Sequence, residues 1–292
     1  MRPVAQLYPD GRRLHLQHGP IDLIISADGP GGAREIAFAA AQARFETVLD
    51  ELVPELPMLR RAMTPDAPLP DTEIARQMDR AVRPFAGGFI TRMAAVAGAV
   101  ADIILRTMNH AAPLTRAYVN NGGDIALHLT PGALFTSAMQ DYTARDLGRV
   151  TLSHGQGVHG IATSGRHGRS LSFGIADSVT VLAATAANAD AAATLIANAV
   201  DLADHPAIQR RPANQIDPDS DLGTRPVVTS CAKLTPAEAA AALHNGLKTA
   251  WQMQRDGHIL GAALFLNGEA RCLGDAIQLA TGTTPKRSLA YA

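Results

Sequence analysis

The stretch HGIATSGRHGRSLSFGIADSVTVLAATAANADAAATLIANAV, residues 159–200, decides the fold. It begins with a glycine-rich turn and an extended piece, and residues 178–182 (SVTVL) have the β-branched content of a strand. The alanine-rich remainder predicts a helix. Asn188 is expected to cap that helix, which puts Asp190 in its first turn.

Asp190 and Thr194 are the first candidates for chemistry. They are four residues apart, so on a helix their side chains lie on one face, about one turn apart. Their oxygens can share a divalent cation if backbone carbonyls or a substrate phosphate complete the shell. A carboxylate near a helix N-terminus also stabilises the helix dipole without any metal. On the residues alone, this capping role is the favoured interpretation.

The composition describes an ordinary globular protein. The chain has 292 residues, of which 47% are hydrophobic and 18% charged. No long flexible linker divides it, so we predict one domain over residues 1–280 and a loose C-terminal tail over residues 281–292. A formal net charge of −1 gives no positive field for nucleic acid or an anionic membrane, and neither is expected as a partner.

Cellular location is predicted from the cysteines and the apolar runs. Two cysteines are too few for a disulfide framework. The first 25 residues lack the pattern of a signal peptide, and residues 94–105 are too short to span a bilayer. These features predict a cytoplasmic protein.

The order of the elements predicts an α+β fold with a mixed, mainly antiparallel sheet and packed helices. Hairpins are expected wherever two extended runs flank a tight turn, and helices wherever apolar residues recur at helical spacing. The predicted hairpins are 13–17 with 21–26 and 259–266 with 269–273; residues 116–120, 125–129 and 150–153 are predicted as further strands, and the predicted helices are 33–52, 72–82, 90–108 and 234–255. The first of these helices is expected to place Ile36, Ala40, Ala43, Val48 and Leu52 on its apolar face, and the last to be capped by Thr235.

Two segments favour ligand contact. Asn121, Gly122, Gly123 and Asp124 follow a strand, and the two glycines let the backbone either approach a ligand or turn sharply in a plain hairpin. Both interpretations stay open.

The second segment contains Thr163, Ser164 and Gly165, followed by Arg166. Backbone amides in such a loop can surround an anion, while arginines supply positive charge. A solvated loop is the alternative. Histidines of the same segment are acid–base candidates, although exposed loop histidines are common.

Small residues dominate the run 94–101, which lets another backbone pack closely. The partner of this run can be another part of the same chain or a second copy in a homodimer, and the spacing permits both.

Taken in order, these segments resemble the ApbE superfamily, the FAD:protein FMN transferases, and most of all a cytoplasmic branch of it. The resemblance is strong over residues 90–205. The segments that carry it are the small-residue run, GGD at 122–124, TSG at 163–165, SVTV at 178–181 and ADAAAT at 189–194. It implies an ApbE-like, T-fold-related domain.

The resemblance also implies a site. In the transferases the A-D-x-x-x-T helix binds Mg²⁺ and the GGD and SG loops hold the flavin nucleotide. The resemblance therefore implies that Asp190 and Thr194 bind magnesium, and it favours this metal-binding role over the capping role. Around the nucleotide, FAD or FMN, the resemblance and the adjoining residues give Asn121, Gly122, Gly123, Asp124, Thr163, Ser164, Gly165 and Arg166.

One departure from the family bears on catalysis. The transferases carry an H-x-x-D-P-x-x-G segment before the SVTV strand, and its histidine is a candidate general base. Residues 172–177 here read SFGIAD, without histidine or proline, and Asp177 is the candidate replacement. We therefore expect a magnesium-assisted flavin-nucleotide transferase or FAD pyrophosphatase that takes a small-molecule nucleotide. The alternative is a non-catalytic protein that binds a flavin or pterin.

Overall fold

Antiparallel strand pairing dominates the structure, a computed structural model that describes residues 3–280. The strands are β1 (Val4–Leu7), β2 (Arg13–His18), β3 (Ile21–Asp28), β4 (Arg116–Asn121), β5 (Asp124–Leu129), β6 (Leu134–Gln140), β7 (Asp146–Ser153), β8 (Gly160–Ser164), β9 (Ser178–Ala183), β10 (Ile208–Pro212), β11 (Pro226–Cys231), β12 (Gly261–Leu266), β13 (Glu269–Leu273) and β14 (Ile277–Leu279). The helices are α1 (Ala33–Phe45), α2 (Val48–Leu52), α3 (Leu56–Leu59), α4 (Glu73–Val82), α5 (Val96–Ala111), α6 (Ala186–Ala199) and α7 (Pro236–Arg255). The α+β fold class is confirmed.

The described chain divides into two compact units. The first comprises residues 3–135, 153–162 and 183–191, and the second comprises 136–152, 163–182 and 192–280. Strand β8 and helix α6 each pass from one unit into the other. A single domain over residues 1–280 stays a prediction, and the predicted tail lies outside the described residues.

The first unit is an antiparallel sheet with helices on one face. Strands β1 to β5 pair in chain order, and Gly160 and Ile161 of β8 pair with β5. Along β3 every second residue, from Ile21 to Ala27, is buried, which is the alternation of a strand with one face on the core. Helices α1 and α5 pack on each other and on this sheet. Their buried side chains close the core.

The second unit is built from three antiparallel groups of strands. Strand β9 pairs with β12 and β12 with β13, while β14, β7 and β6 form a separate sheet and β10 pairs with β11. Helix α7 packs on β12 and β13. Thr235 and Glu238 form a capping box at the start of α7, as predicted. No helix among residues 3–280 is long and apolar enough to cross a membrane.

The two predicted hairpins are confirmed, since β2 pairs with β3 and β12 with β13 as adjacent antiparallel partners. The predicted strands at 116–120 and 125–129 also pair, as β4 and β5. The turn between β12 and β13 has φ of 50° at Asn267 and 82° at Gly268, the two positive values that a type I′ turn requires.

Two expectations about the first long helix are wrong. The helix predicted over 33–52 breaks after Phe45, and α2 starts at Val48. Its core face is also only partly as predicted, because Val48 and Leu52 are buried, whereas Ile36 is 51% exposed and Ala37, Phe38 and Ala41 are buried in its place. Scattered alanines fit several helical faces, so their spacing did not identify the buried one.

Five strands were not predicted. They are β1, β6, β10, β11 and β14. Strand β6 shows why, since in its burial pattern only Met139 is buried and the other side chains are exposed or half-buried. A strand with so little core contact carries a weak apolar alternation.

Two glycines allow the backbone of α5 and of β8 to lie very close to the start of α6. A Cβ on Gly98 of α5 would lie 2.3 Å from the carbonyl oxygen of Ala186, and a Cβ on Gly160 would lie 2.1 Å from the carbonyl carbon of Thr185. Backbone atoms cannot rotate away as a long side chain can. Both positions therefore exclude any larger residue, and the first turn of α6 is enclosed by protein.

We expect Gly98→Ala to lower the free energy of unfolding by about 3 kcal/mol or more, despite the higher helix propensity of alanine. Urea denaturation of the two proteins measures the difference. Gly87→Ala is the matched control, because its Cβ would meet nothing within 4 Å, and we expect a change within about 0.5 kcal/mol. Equal stability of all three proteins would contradict the close packing of α5 on α6.

Candidate functional site

Helices α5 and α6 cap each other with carboxylates. Asp102 of α5 accepts hydrogen bonds from the N–H groups of Ala186 (2.9 Å) and Ala187 (3.0 Å), at the start of α6. Asp190 of α6 accepts one from the N–H of Gly98 (3.0 Å), near the start of α5. N–H groups in a first helical turn have no partner within their own helix. Each helix thus satisfies the exposed donors of the other.

The predicted cap of α6 is corrected by this arrangement. The helix begins at Ala186, so Asn188 lies inside it and donates its N–H to the hydroxyl of Thr185 (3.1 Å). Asp190 is the fifth helical residue rather than part of the first turn. It therefore does not stabilise its own helix N-terminus, and the capping role that we favoured from the sequence belongs to α5 instead.

The carboxyl group of Asp190 is electrostatically unusual. Burial raises its pKa well above the usual range, and the negative charge of Asp124 raises it further. The N–H groups of Gly98 and Ala97 oppose both effects by stabilising the charged form, and the charge of Asp102 adds a smaller upward contribution. Two carboxyl groups that were predicted as separate site residues, Asp124 and Asp190, are thus close enough to interact.

The GGD loop is the turn between β4 and β5. Asn121 pairs with Asp124 across this turn, and Gly122 and Gly123 have φ of 63° and 114°, values that favour glycine. Asn121 is buried, with 4% of its surface exposed, and its side-chain amide donates to the carbonyl oxygen of Ala97 (3.1 Å). The turn therefore places Asp124 near Asp190, while Asn121 holds the first turn of α5.

A second cluster lies in the second unit, around Asp177. The guanidinium of Arg166 donates to Asp177 Oδ1 at 3.0 Å and 2.7 Å, and the N–H of Asn267 donates to Oδ2 at 2.6 Å. His167 Nε2 lies 3.4 Å from the same Oδ1. Asp177 thus lies beside the guanidinium of Arg166 and the imidazole of His167, and it pairs the positive charge of Arg166.

The Thr163 to Gly165 segment packs against the same region. The Thr163 and Thr180 hydroxyls lie 3.0 Å apart, and a Cβ on Gly165 would lie 2.6 Å from the carbonyl oxygen of Asp177. Ser164, the last residue of β8, is half-buried. Close backbone approach is thus a property of this loop, although the approach is to the protein itself.

The predicted residues divide between the two units. Asn121 to Asp124 and Asp190 belong to the first unit, and Thr163 to Arg166, Asp177 and Thr194 to the second. Thr194 is half-buried and follows Asp190 by four residues on α6. Among residues 3–280 no group of three or more His, Cys, Asp and Glu side chains is arranged to hold a metal ion.

Sequence reasoning missed the role of Asp102 and Gly98. Asp102 is an acid inside a largely apolar helix, and an acid removed from water needs hydrogen-bond donors. The signal was present, but the donors are backbone N–H groups 84 and 85 residues away. Such donors carry no side-chain signature.

The fold has a counterpart among solved structures. An ApbE protein of Thermotoga maritima aligns over 94% of this chain and 97% of its own, with a TM-score of 0.52 and 12% identity. At that identity the similarity concerns the fold alone. The architecture is therefore that of an ApbE-like α+β protein.

The family assignment rests on sequence. The family model described as AbpE bacteria matches residues 5–272, so the chain belongs to this family, within the ApbE-like superfamily. The UPF0280 protein of Methanopyrus kandleri is 36% identical over 179 residues, covering 61% of this chain and 69% of that protein. The UPF0280 protein of Methanothermobacter thermautotrophicus is 40% identical over 131 residues, covering 43% and 47%. The chain thus spans about two thirds of the first relative and about half of the second.

The reciprocal capping has a measurable pH signature. Burial raises the pKa of Asp102 from 3.8 to about 6. The hydrogen bonds from the N–H groups of Ala187 and Ala186 lower this pKa, but burial has the larger effect. An acid whose pKa is higher in the folded state binds its proton more tightly there, so its contribution to stability falls as the pH rises through this window. We expect a loss of about 3 kcal/mol between about pH 4 and pH 6.

The measurement is the free energy of unfolding of the wild-type protein and of Asp102→Asn at several pH values between 4 and 7. The variant cannot titrate at this position, so the difference between the two curves should slope over that window and be flat above it. Parallel curves would show that Asp102 titrates normally in the folded protein.

Proposed function

We propose that the protein is a magnesium-assisted enzyme that acts on a flavin nucleotide, by transfer or hydrolysis at the pyrophosphate of FAD. The observation that carries this proposal is the electrostatic interaction between the half-buried Asp124 and Asp190 carboxyl groups, the second of which is desolvated. Two acids that repel each other are stabilised when a proton or a cation compensates their charge.

The donor chemistry fits magnesium. Asp190 Oδ2 accepts the Gly98 N–H, and the Ala97 N–H also stabilises the carboxylate. An ionised carboxyl group has about four acceptor positions, which is more than these two donors occupy. Mg²⁺ prefers oxygen ligands and uses one or two carboxylates together with water and substrate phosphates. Asp190 would hold the ion with Thr194, and Asp124 would add negative charge. When bound, the ion neutralises charge on a pyrophosphate.

The nucleotide assignment rests on family membership and on the motifs. Gly122, Gly123 and Asp124 in the first unit, and Thr163, Ser164 and Gly165 in the second, match the segments that hold the flavin nucleotide in the transferases. We propose nucleotide contact for each group taken by itself, with Asn121 supporting the first group and Arg166 the second. Cytoplasmic location and a homodimer stay predictions from the sequence.

A flavin- or pterin-binding protein without turnover is the second candidate. It is favoured by residues 172–177, which lack the histidine of the transferases. The Ser172 hydroxyl and the Phe173 N–H donate hydrogen bonds to the side-chain oxygen of Asn198 (3.3 and 3.0 Å). The segment is therefore part of the packing at the end of α6. A packing role for this segment is consistent with the loss of its catalytic role.

The test is calorimetric titration of the full chain with FAD, FMN, ADP and a pterin, with and without MgCl₂, followed by chromatography of the products. We expect FAD binding that requires Mg²⁺ and the release of FMN and AMP. Asp190→Asn removes one negative charge while keeping the size of the side chain, and we expect turnover to fall about 100-fold or more.

Asp102→Asn is the matched control, since both substitutions alter a buried acid that caps the neighbouring helix. We expect both to lower the melting temperature but only Asp190→Asn to abolish the dependence on Mg²⁺. FAD binding without turnover would support the second candidate. Absence of binding for all four compounds would refute the flavin assignment.

A further inference from the structure

The imidazole of His167 is held from two sides within the second unit. Its Nε2 lies 3.4 Å from Asp177 Oδ1, and the ring of Tyr142 stacks on it with centroids 3.8 Å apart and an interplanar angle of 24°. The stacked tyrosine and the carboxylate together fix the orientation of the imidazole. The His167 side chain is still 28% exposed, so the ring is accessible from outside.

Asp177 is suited to orient a histidine and poorly suited to act as the base itself. Its Oδ1 accepts from Arg166 and its Oδ2 accepts from the N–H of Asn267, so both oxygens are already engaged. The separation of 3.4 Å between His167 Nε2 and Oδ1 is that of an ion pair, and the negative carboxylate favours a proton on Nε2, the ring nitrogen beside it. This leaves Nδ1 of His167 as the nitrogen that can exchange a proton.

Other histidines paired with carboxylates lack this combination. His15 Nε2 lies 3.0 Å from Asp22, but the carboxylate of Asp22 is 46% exposed and therefore solvated. His205 Nε2 lies 3.0 Å from Glu238, whose carboxylate is committed to the capping box of α7. His167 alone among these three also lies two residues from Gly165, in the loop assigned to the nucleotide.

We propose that His167 is the general base of this protein, oriented by Asp177 and Tyr142, a role that rests on the proposed function. In hydrolysis of a flavin dinucleotide, the oxygen of a water molecule forms a bond to phosphorus while its proton passes to Nδ1 of His167. The bond from phosphorus to the bridging oxygen breaks, and its electron pair leaves with the departing phosphate. The products are FMN and AMP. In transfer, an acceptor hydroxyl takes the place of water.

The first measurement does not depend on activity. Long-range ¹H–¹⁵N spectra of the histidine side chains of the full chain identify which ring nitrogen carries the proton. We expect the Nε2–H form for His167 in the wild-type protein and a mixture of forms in Asp177→Asn. An Nδ1–H form in the wild-type protein would overturn the proposal, whatever the protein turns over.

The second measurement is the pH dependence of FAD hydrolysis. A base must be unprotonated, so turnover by the wild-type protein should fall on the acidic side of the pH profile. We expect His167→Gln to lower kcat by about 10² to 10⁴-fold with little change in KM and to abolish this acidic limb. Asp177→Asn and Tyr142→Leu should lower kcat less and shift the limb, as positioning residues do.

His15→Gln is the matched control, because His15 also faces a carboxylate and has nearly the same exposure, 27%. It should leave kcat and the pH profile unchanged. An active wild-type protein whose His167→Gln variant keeps the profile would overturn the base role alone. A wild-type protein that turns over none of the flavin nucleotides would overturn the proposed function and the base role together.

Discussion

The mutual capping of α5 and α6 is the constraint on which the first unit depends. Two helix N-termini lie together, and the positive ends of two helix dipoles repel unless negative charge compensates them. Asp102 and Asp190 supply that charge and also satisfy the free N–H groups. The arrangement needs very close backbones, which Gly98 and Gly160 permit. Because Asp190 is fixed by this packing, its interaction with Asp124 follows from the fold.

Local patterns predicted the local structure well. Strand β9, the hairpins and the capping box of α7 could all be identified from residues within one turn or one pair of strands. The family resemblance was carried by short segments of the same kind. What it could not supply was the partner of each side chain, which is decided by contacts between distant parts of the chain.

The two errors about α6 illustrate that limit. Asn188 is a good capping residue by type, but Thr185 also is, and the choice depends on where the preceding strand ends. Asp190 was interpreted through its own helix, whereas its hydrogen-bond donors belong to α5. In both cases burial and distance, rather than residue type, decided the role. For Asp177 the catalytic role stays a prediction, and the structure adds that its carboxylate accepts from three donors and lies beside a histidine.

The sequence separation between the partners has a consequence for synthesis on the ribosome. The Gly98 N–H and the Asp190 carboxylate are 92 residues apart. At a translation rate of about 5 to 20 residues per second, α5 waits roughly 5 to 20 s before its capping acid is made. During that time the Gly98 N–H and the backbone that packs on the start of α6 have no native partner. The nascent chain is therefore most exposed to chaperones and to misassociation between the synthesis of α5 and that of α6.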